Sequence, residues 1–317
     1  MKPPFQITPD ILHLLSEVSQ QLGQVKASFL TKPSPTLRKR NRIRTIQASL
    51  AIEGNTLSID QITAVLENKK VLGPKKDILE VANAIDVYQQ LPRLNPWSEK
   101  SFLSAHKIFM QGLTKNAGNY RSSAVGIVKG TQIAHIAPPA SNVPFLMKEL
   151  FQYVKTGKEP ILIRSCVFHY ELEFIHPFSD GNGRMGRLWQ TLLLMQEYPV
   201  FEFLPFETLI SKQQKKYYQA LSMSDKQGAS TFFIEFMLTL LRDALEELLK
   251  ERSGPISSPE RIRLFIESGV KTFTRKDYMA YFKTISAATA SRDLQGAVKE
   301  KLIKKSGDKN KTIYRIQ

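Results

Sequence analysis

Apolar residues recur at helical spacing through most of the chain. Ile11, Leu14, Leu15 and Val18 predict a first helix over residues 9–26. A Pro/Ser break over 32–36 separates it from a helix over 37–52, and Gly54 suits the stop of that second helix. Ser58 and Gln61 have the spacing of a capping box, so a further helix starts there. After a turn at Gly73-Pro74, residues 77–91 read as helix, closed by Pro92 and Pro96. Helical patterns return over 143–155 and 161–173, then in an apolar stretch over 188–196 stopped before Pro199, and in a long helix over 231–251.

Two segments break this rhythm. Over 124–136, Val125, Ile127 and Val128 precede Lys129-Gly130, and Ile133, Ala134 and Ile136 follow, which predicts a short hairpin with a glycine turn, ended by Pro138-Pro139. Beyond the Ser253-Gly254-Pro255 and Ser257-Ser258-Pro259 linker, helices over 260–268, 275–282 and 286–300 precede strands over 302–304 and 312–316, with Gly307-Asp308 as the turn. Three helices and a hairpin follow the order of a winged helix-turn-helix module. The expected architecture is therefore all-α with one hairpin and a small C-terminal module, in regions 1–95, 96–252 and 256–317.

Composition sharpens this picture. The chain has 317 residues with 42% hydrophobic content, normal for a globular protein. No apolar run approaches the ~20 residues of a membrane span, and the N-terminus lacks the apolar core of a signal peptide. Cys166 is the single cysteine, which excludes an internal disulfide and a cysteine-based zinc site and points to a reducing cytoplasm. The net charge of +16 favours anionic partners such as nucleotides, nucleic acid or acidic proteins. Half of that excess lies in residues 256–317, where 14 Lys/Arg face 6 Asp/Glu; residues 38–44 form a second basic cluster.

The chemistry concentrates in residues 176–187, His-Pro-Phe-Ser-Asp-Gly-Asn-Gly-Arg-Met-Gly-Arg. Pro177 disfavours helix through His176. Gly181-Asn182-Gly183 forms a side-chain-poor turn that opens a helix, an arrangement whose N–H groups and dipole favour phosphate. Arg184 and Arg187, three apart, share one helix face and can clamp phosphate oxygens. Asp180 is a hard oxygen ligand for the Mg²⁺ of a polyphosphate, Asn182 can donate to a phosphate oxygen, and His176 can take a proton from an attacking hydroxyl. The Gly-Lys-Ser/Thr signature of a Walker loop is absent.

This segment resembles the complete signature of Fic-domain proteins, His-Pro-Phe-x-Asp/Glu-Gly-Asn-Gly-Arg-x-x-Arg, and departs from it at no position. The resemblance implies a helical core and transfer of AMP from ATP to a Ser, Thr or Tyr of a protein, with His176 as base and Asp180 as Mg²⁺ ligand. It makes Gly181, Asn182, Gly183, Arg184 and Arg187 the triphosphate cradle. Members that transfer phosphate carry Lys where Gly183 stands, so AMP is the expected cargo. Upstream, Ser49, Glu53, Gly54 and Asn55 are similar to the family's inhibitory motif, Ser/Thr-x-x-x-Glu-Gly/Asn-Asn. A glutamate paired with Arg187 would displace the γ-phosphate contacts and mis-aim the α-phosphate.

Gly118-Asn-Tyr-Arg121 before the hairpin and Pro138-Pro139 after it match the family's flap, whose edge can take an extended target segment by strand addition. Tyr217 and Tyr218 lie where relatives contact the nucleotide base. Relatives often dimerise, so a homodimer is expected. In the C-terminal module, Ser286, Thr289, Ser291 and Arg292 could face a groove or phosphates, and Lys304, Lys305, Lys309 and Lys311 would decorate the wing, a module that could serve DNA binding, protein contact or dimerisation, or a structural cap. Two alternatives use the same residues: removal of AMP, with Glu53 positioning water, and a nucleotide-sensing DNA-binding regulator.

Overall fold

The computed structural model describes residues 3–27, 35–124, 126–129, 132–251, 257–283, 285–307 and 312–316. The chain divides into two compact units, Met1–Lys250 and Glu251–Gln317. Regions 1–95 and 96–252 thus fold as one unit.

In order, the larger unit contains α1 (Pro9–Ala27), α2 (Pro35–Ile52), α3 (Ile59–Leu66), α4 (Lys75–Gln89), α5 (Glu99–Phe109), β1 (Gly126–Lys129), β2 (Gln132–Ile136), α6 (Val143–Thr156), α7 (Ile161–Ile175), α8 (Asn182–Met195), α9 (Glu207–Lys212), α10 (Gln214–Gln227) and α11 (Thr231–Glu251). Most follow the predicted spans within two residues. Ser58 caps α3 in a full capping box with Gln61, and Gly54 stops α2 at φ +92°. The hairpin forms from antiparallel β1 and β2 with an irregularity between Ile127 and Val128; Val125 and the turn at Gly130 lie outside the described residues.

The apolar pattern begins only at Leu188, but α8 begins at Asn182, where the glycine turn was expected to open a helix carrying Arg184 and Arg187. Gly181 takes the left-handed conformation at φ +86° as its N-cap, and Met185 N–H already bonds Gly181 C=O at 3.0 Å. The glycines at 183 and 186 hide that start from a propensity reading.

Helices α7 and α8 form the centre of the unit. Both are buried along most of their length, α8 including its polar residues Asn182, Arg184, Arg187, Gln190 and Thr191. Their close approach depends on Gly186: a Cβ there would sit 2.6 Å from the His169 ring of α7. An aromatic cluster braces them, with Phe102 of α5 edge-on to Trp189 of α8 at 5.0 Å and stacked on Phe178 at 5.3 Å. Each such pair adds about 0.5–1.5 kcal/mol beyond area burial. Helix α2 packs against α9, α4 and α8, so its C-terminal end lies beside the start of α8. Among the described residues no helix is long and apolar enough to cross a membrane.

The smaller unit runs α12 (Ser258–Glu267), β3 (Thr272–Phe273), α13 (Arg275–Tyr281), α14 (Ala287–Lys299), β4 (Ile303–Ser306) and β5 (Ile313–Ile316). Its antiparallel sheet has the order β3-β5-β4. Strand β3, only two residues long, adds to the predicted pair. Phe265, Phe273, Tyr278 and Phe282 form its aromatic core. Buried Asp293 accepts two bonds from Arg261, at 2.6 and 2.9 Å, and one from the Tyr278 hydroxyl. The linker residues 253–255, Thr284, Asp308, Lys309 and Lys311 lie outside the described residues.

Candidate active site

The turn between α7 and α8 creates the site. His176 closes α7 in the left-handed conformation, φ 49° and ψ 58°, outside the right-handed helical region that Pro177 disfavours. Its ring Nδ1 lies 3.3 Å from the Glu173 carbonyl. A carbonyl only accepts, so Nδ1 carries the proton and Nε2 keeps its lone pair in the neutral ring. Arg121 holds this conformation from outside. Its buried guanidinium donates to four backbone carbonyls, those of His176 (2.7 Å), Ser123, Pro138 and Ile175. Ser123 and Pro138 flank the hairpin, so one side chain ties both feet of the flap to the carbonyl of His176.

The rest of the turn is fastened by its own groups. Asn182 is buried; its Oδ1 accepts from Phe178 N–H and its Nδ2 donates to the Phe178 carbonyl, each at 2.9 Å. Its amide therefore shapes the turn. His106 of α5 stacks flat on Phe178 at 3.5 Å. Gly118 N–H donates to its Nδ1, so Nε2–H donates to the Asp180 carbonyl at 3.0 Å. Burial pushes the His106 pKa down to about 4, which keeps the ring in this neutral tautomer. Because the first helical bond of α8 starts at Met185, the N–H groups of Asn182, Gly183 and Arg184 have no partner within the helix.

A cavity of about 230 Å³ opens over these N–H groups, lined by Glu53, His176, Asp180, Gly183, Arg187 and Tyr218 among others. Half of the Asp180 side chain is exposed, with Oδ1 held by Gly181 N–H and by Arg184 Nη2. Arg187 is 0% exposed. Its Nη2 pairs with Glu53 Oε1 at 2.7 Å and bonds the Ser49 carbonyl, and its Nε bonds the Ser49 hydroxyl. Burial works against this charge, but Glu53 outweighs it and holds the guanidinium pKa above its ordinary value. Arg187 Nη1 is buried with no hydrogen-bond partner among the described residues, and so is Arg184 Nε. Orphaned donors of this kind require an explanation, and an anionic ligand supplies one. Gly183 leaves the space: a Cβ there would lie 2.5 Å from Glu53 Oε1 and 3.0 Å from Arg187 Nη1.

Several residues escaped the sequence reading. Asn55 Nδ2 donates to Glu80 Oε2 at 2.9 Å, and Glu80 Oε1 accepts from Arg184 Nη1 at 3.2 Å. The segment ending α2 thus reaches both arginines, Arg187 through Ser49 and Glu53 and Arg184 through Asn55 and Glu80. Glu80 was detectable as a carboxylate on the apolar face of α4. Glu173 is the second; burial and then Glu53 raise its pKa to about 7. Its Oε1 lies 3.1 Å from the Tyr217 hydroxyl, which is also 3.1 Å from His169 Nε2. Tyr217 is 1% exposed and belongs to the core, with only an edge on the cavity. Tyr218 is half-buried and forms the wall.

Residues 96–194 match the model of the Fic/DOC family. Among curated proteins, the protein adenylyltransferase Fic of Nematostella vectensis is 28% identical over 204 residues, 60% of this chain and 46% of that protein. The protein of the same name from Aedes aegypti is 29% identical over 235 residues, covering 69% and 44%. The chain thus spans less than half the length of these relatives. Among solved structures, residues 134–508 of Fic-1 from C. elegans share the fold at a TM-score of 0.64 and 20% identity, over 76% of this chain and 72% of that one. A Fic family protein from Desulfovibrio desulfuricans G20 is 40% identical with a TM-score of 0.76, covering 100% of this chain and 98% of that one. With that identity sustained from end to end, and with the twelve-residue signature folded around one anion-ready cavity, the chain belongs to the Fic/DOC family.

Proposed function

We propose that this protein transfers AMP from ATP to a hydroxyl side chain of a target protein, and that Glu53 restrains the reaction. Arg187 carries this reading. One of its terminal nitrogens is captured by Glu53, and the other is orphaned beside Gly183 and the free N–H groups of α8. Such a pocket suits a polyphosphate, and a carboxylate within it competes with the terminal phosphate for the same guanidinium.

In the reaction the target oxygen attacks the α-phosphorus, His176 Nε2 takes the hydroxyl proton, and the bond to pyrophosphate breaks. The N–H groups of α8, Arg184 and Arg187 hold the phosphate oxygens. Asp180 is the residue that would hold Mg²⁺. A single carboxylate fits an ion that is otherwise held by substrate phosphates and water, as Mg²⁺ commonly is. When bound, Mg²⁺ offsets phosphate charge. The flap strands offer backbone groups to an extended target segment near His176. The thiol of Cys166 is buried and its pKa pushed up to about 12, so it takes no part in the reaction.

The test uses α-³²P-ATP and Mg²⁺ with wild type, Glu53→Gly and Glu53→Gly/His176→Ala. Label is expected on protein with Glu53→Gly, weakly with wild type and not with the double variant. Absence of label from all three, with cell lysate supplied as target, rejects AMP transfer and leaves AMP removal or nucleotide sensing.

A further inference from the structure

The smaller unit presents a basic surface that the proposed chemistry does not use. On α14 the residues facing the core are Ala290, Asp293, Leu294 and Ala297. The opposite face carries Ala288, Arg292, Gln295 and Lys299, at i, i+4, i+7 and i+11, all exposed. That stripe is about 16 Å long at 1.5 Å per residue. It contains no acid. The one acid of α14, Asp293, is buried and neutralised by the bidentate Arg261 pair, so it does not dilute the field of the exposed face.

The neighbouring elements add further cations, beside the exposed acids Asp277 of α13 and Glu300 just beyond α14. Arg275 at the start of α13 is exposed, and its Nη1 donates to Ser291 Oγ on α14 at 2.9 Å. In the hairpin that follows α14, exposed Lys304 and Arg315 stand directly opposite each other as cross-strand partners. Like charges in that position destabilise a ladder unless an anion lies over them. The connectivity also fits: helix, short strand, helix, helix, then two strands, with β3 and β4 on either side of β5.

We propose that this unit binds duplex DNA, with the Ala288–Lys299 face of α14 in the major groove and the β4–β5 hairpin on the backbone. Small Ala288 and Gly296 let the helix approach closely. Arg292 and Gln295 have the donor and acceptor groups that read base edges, and Lys299, Lys304 and Arg315 neutralise phosphates. A regular polyanion with a groove about 12 Å wide matches both the helix and the charge. This inference is independent of AMP transfer.

The test is fluorescence anisotropy of the full chain with a labelled mixed-sequence duplex of about 20 bp, two helical turns. Binding is expected at Kd on the order of micromolar, weakening linearly in log–log form between about 50 and 200 mM salt. Arg292→Gln/Lys299→Gln, both at exposed positions and checked for folding by circular dichroism, is expected to bind about tenfold more weakly, with a salt slope shallower by about 1 from the lost Lys299 phosphate contact. Three results would overturn the proposal: no salt-sensitive binding by wild type, unchanged binding by the folded double variant, or tighter binding to single-stranded RNA of the same length than to the duplex.

Discussion

At the scale of single residues, Arg121 contributes as much to the site as the signature does. A guanidinium enclosed by four carbonyls, with no carboxylate among those acceptors, acts as a template for the chain around it. Replacing it by Ala would leave buried carbonyls unpaired, at a cost of about 2–4 kcal/mol. Arg121→Lys keeps the charge but not the planar fork, and recovers only part of that loss. Denaturant melts of the two variants check the order. Equal stability of Arg121→Ala and wild type would show that the flap feet and His176 hold their geometry without it. Nothing in the sequence around Arg121 announces this role, because its four partners come from residues as distant as Ile175.

At the scale of elements, the decisive contact is the crossing of α7 and α8. Its closest point pairs Gly186 with His169, whose Nδ1 meets Gln190 Oε1 at 2.7 Å. Gly186→Ala would push a methyl into that ring and is expected to destabilise by about 1–3 kcal/mol, although Ala is the better helix former. The thermal midpoint measures this directly, and a rise in midpoint would mean that propensity outweighs packing. The start of α8 is set by the turn that precedes this crossing. Propensity and periodicity speak for a helix only from Leu188, but a turn closed by Gly181, Asn182 and His106 delivers the chain in helical register earlier.

For the molecule as a whole, buried titratable groups set the response to pH. Burial raises Glu171 and Glu173 to about 7 and Glu207 to about 8, against an ordinary 4.5. Each holds a proton in the folded state that the unfolded chain has already lost, so each makes stability fall as pH rises from about 4.5 to its folded pKa. Burial lowers His106 to about 4 and His169 to about 3, against 6.5. These two make stability rise with pH up to about 6.5. With three groups against two, the balance turns downward above about pH 4.5 and steepens above 6.5. A melting midpoint that peaks near pH 5 and declines toward pH 8 is expected, with a shallower decline in Glu207→Gln. A midpoint that climbs steadily from pH 5 to 8 would contradict it.

The sequence by itself determined most of the elements and the chemical inventory. Helical periodicity placed α1, α2, α4, α6, α7 and α11 because amphipathic or enclosed helices leave their mark on neighbouring residues, and a capping box placed α3, but no element was read at α5, α9 or α10. The signature named His176, Asp180, Arg184 and Arg187 because its residue types are confined to twelve consecutive positions. Ser49, Glu53 and Asn55 were legible as a motif, and the family resemblance implied a glutamate paired with Arg187, but no local pattern shows how two residues 134 positions apart come to meet. Only the packing of α2 against α8 and α9 brings them to 2.7 Å. Glu80, Glu173, His106 and Arg121 stayed hidden for the same reason. A buried polar group is defined by partners that satisfy it, and those partners are assembled by tertiary structure from helices far apart in the chain.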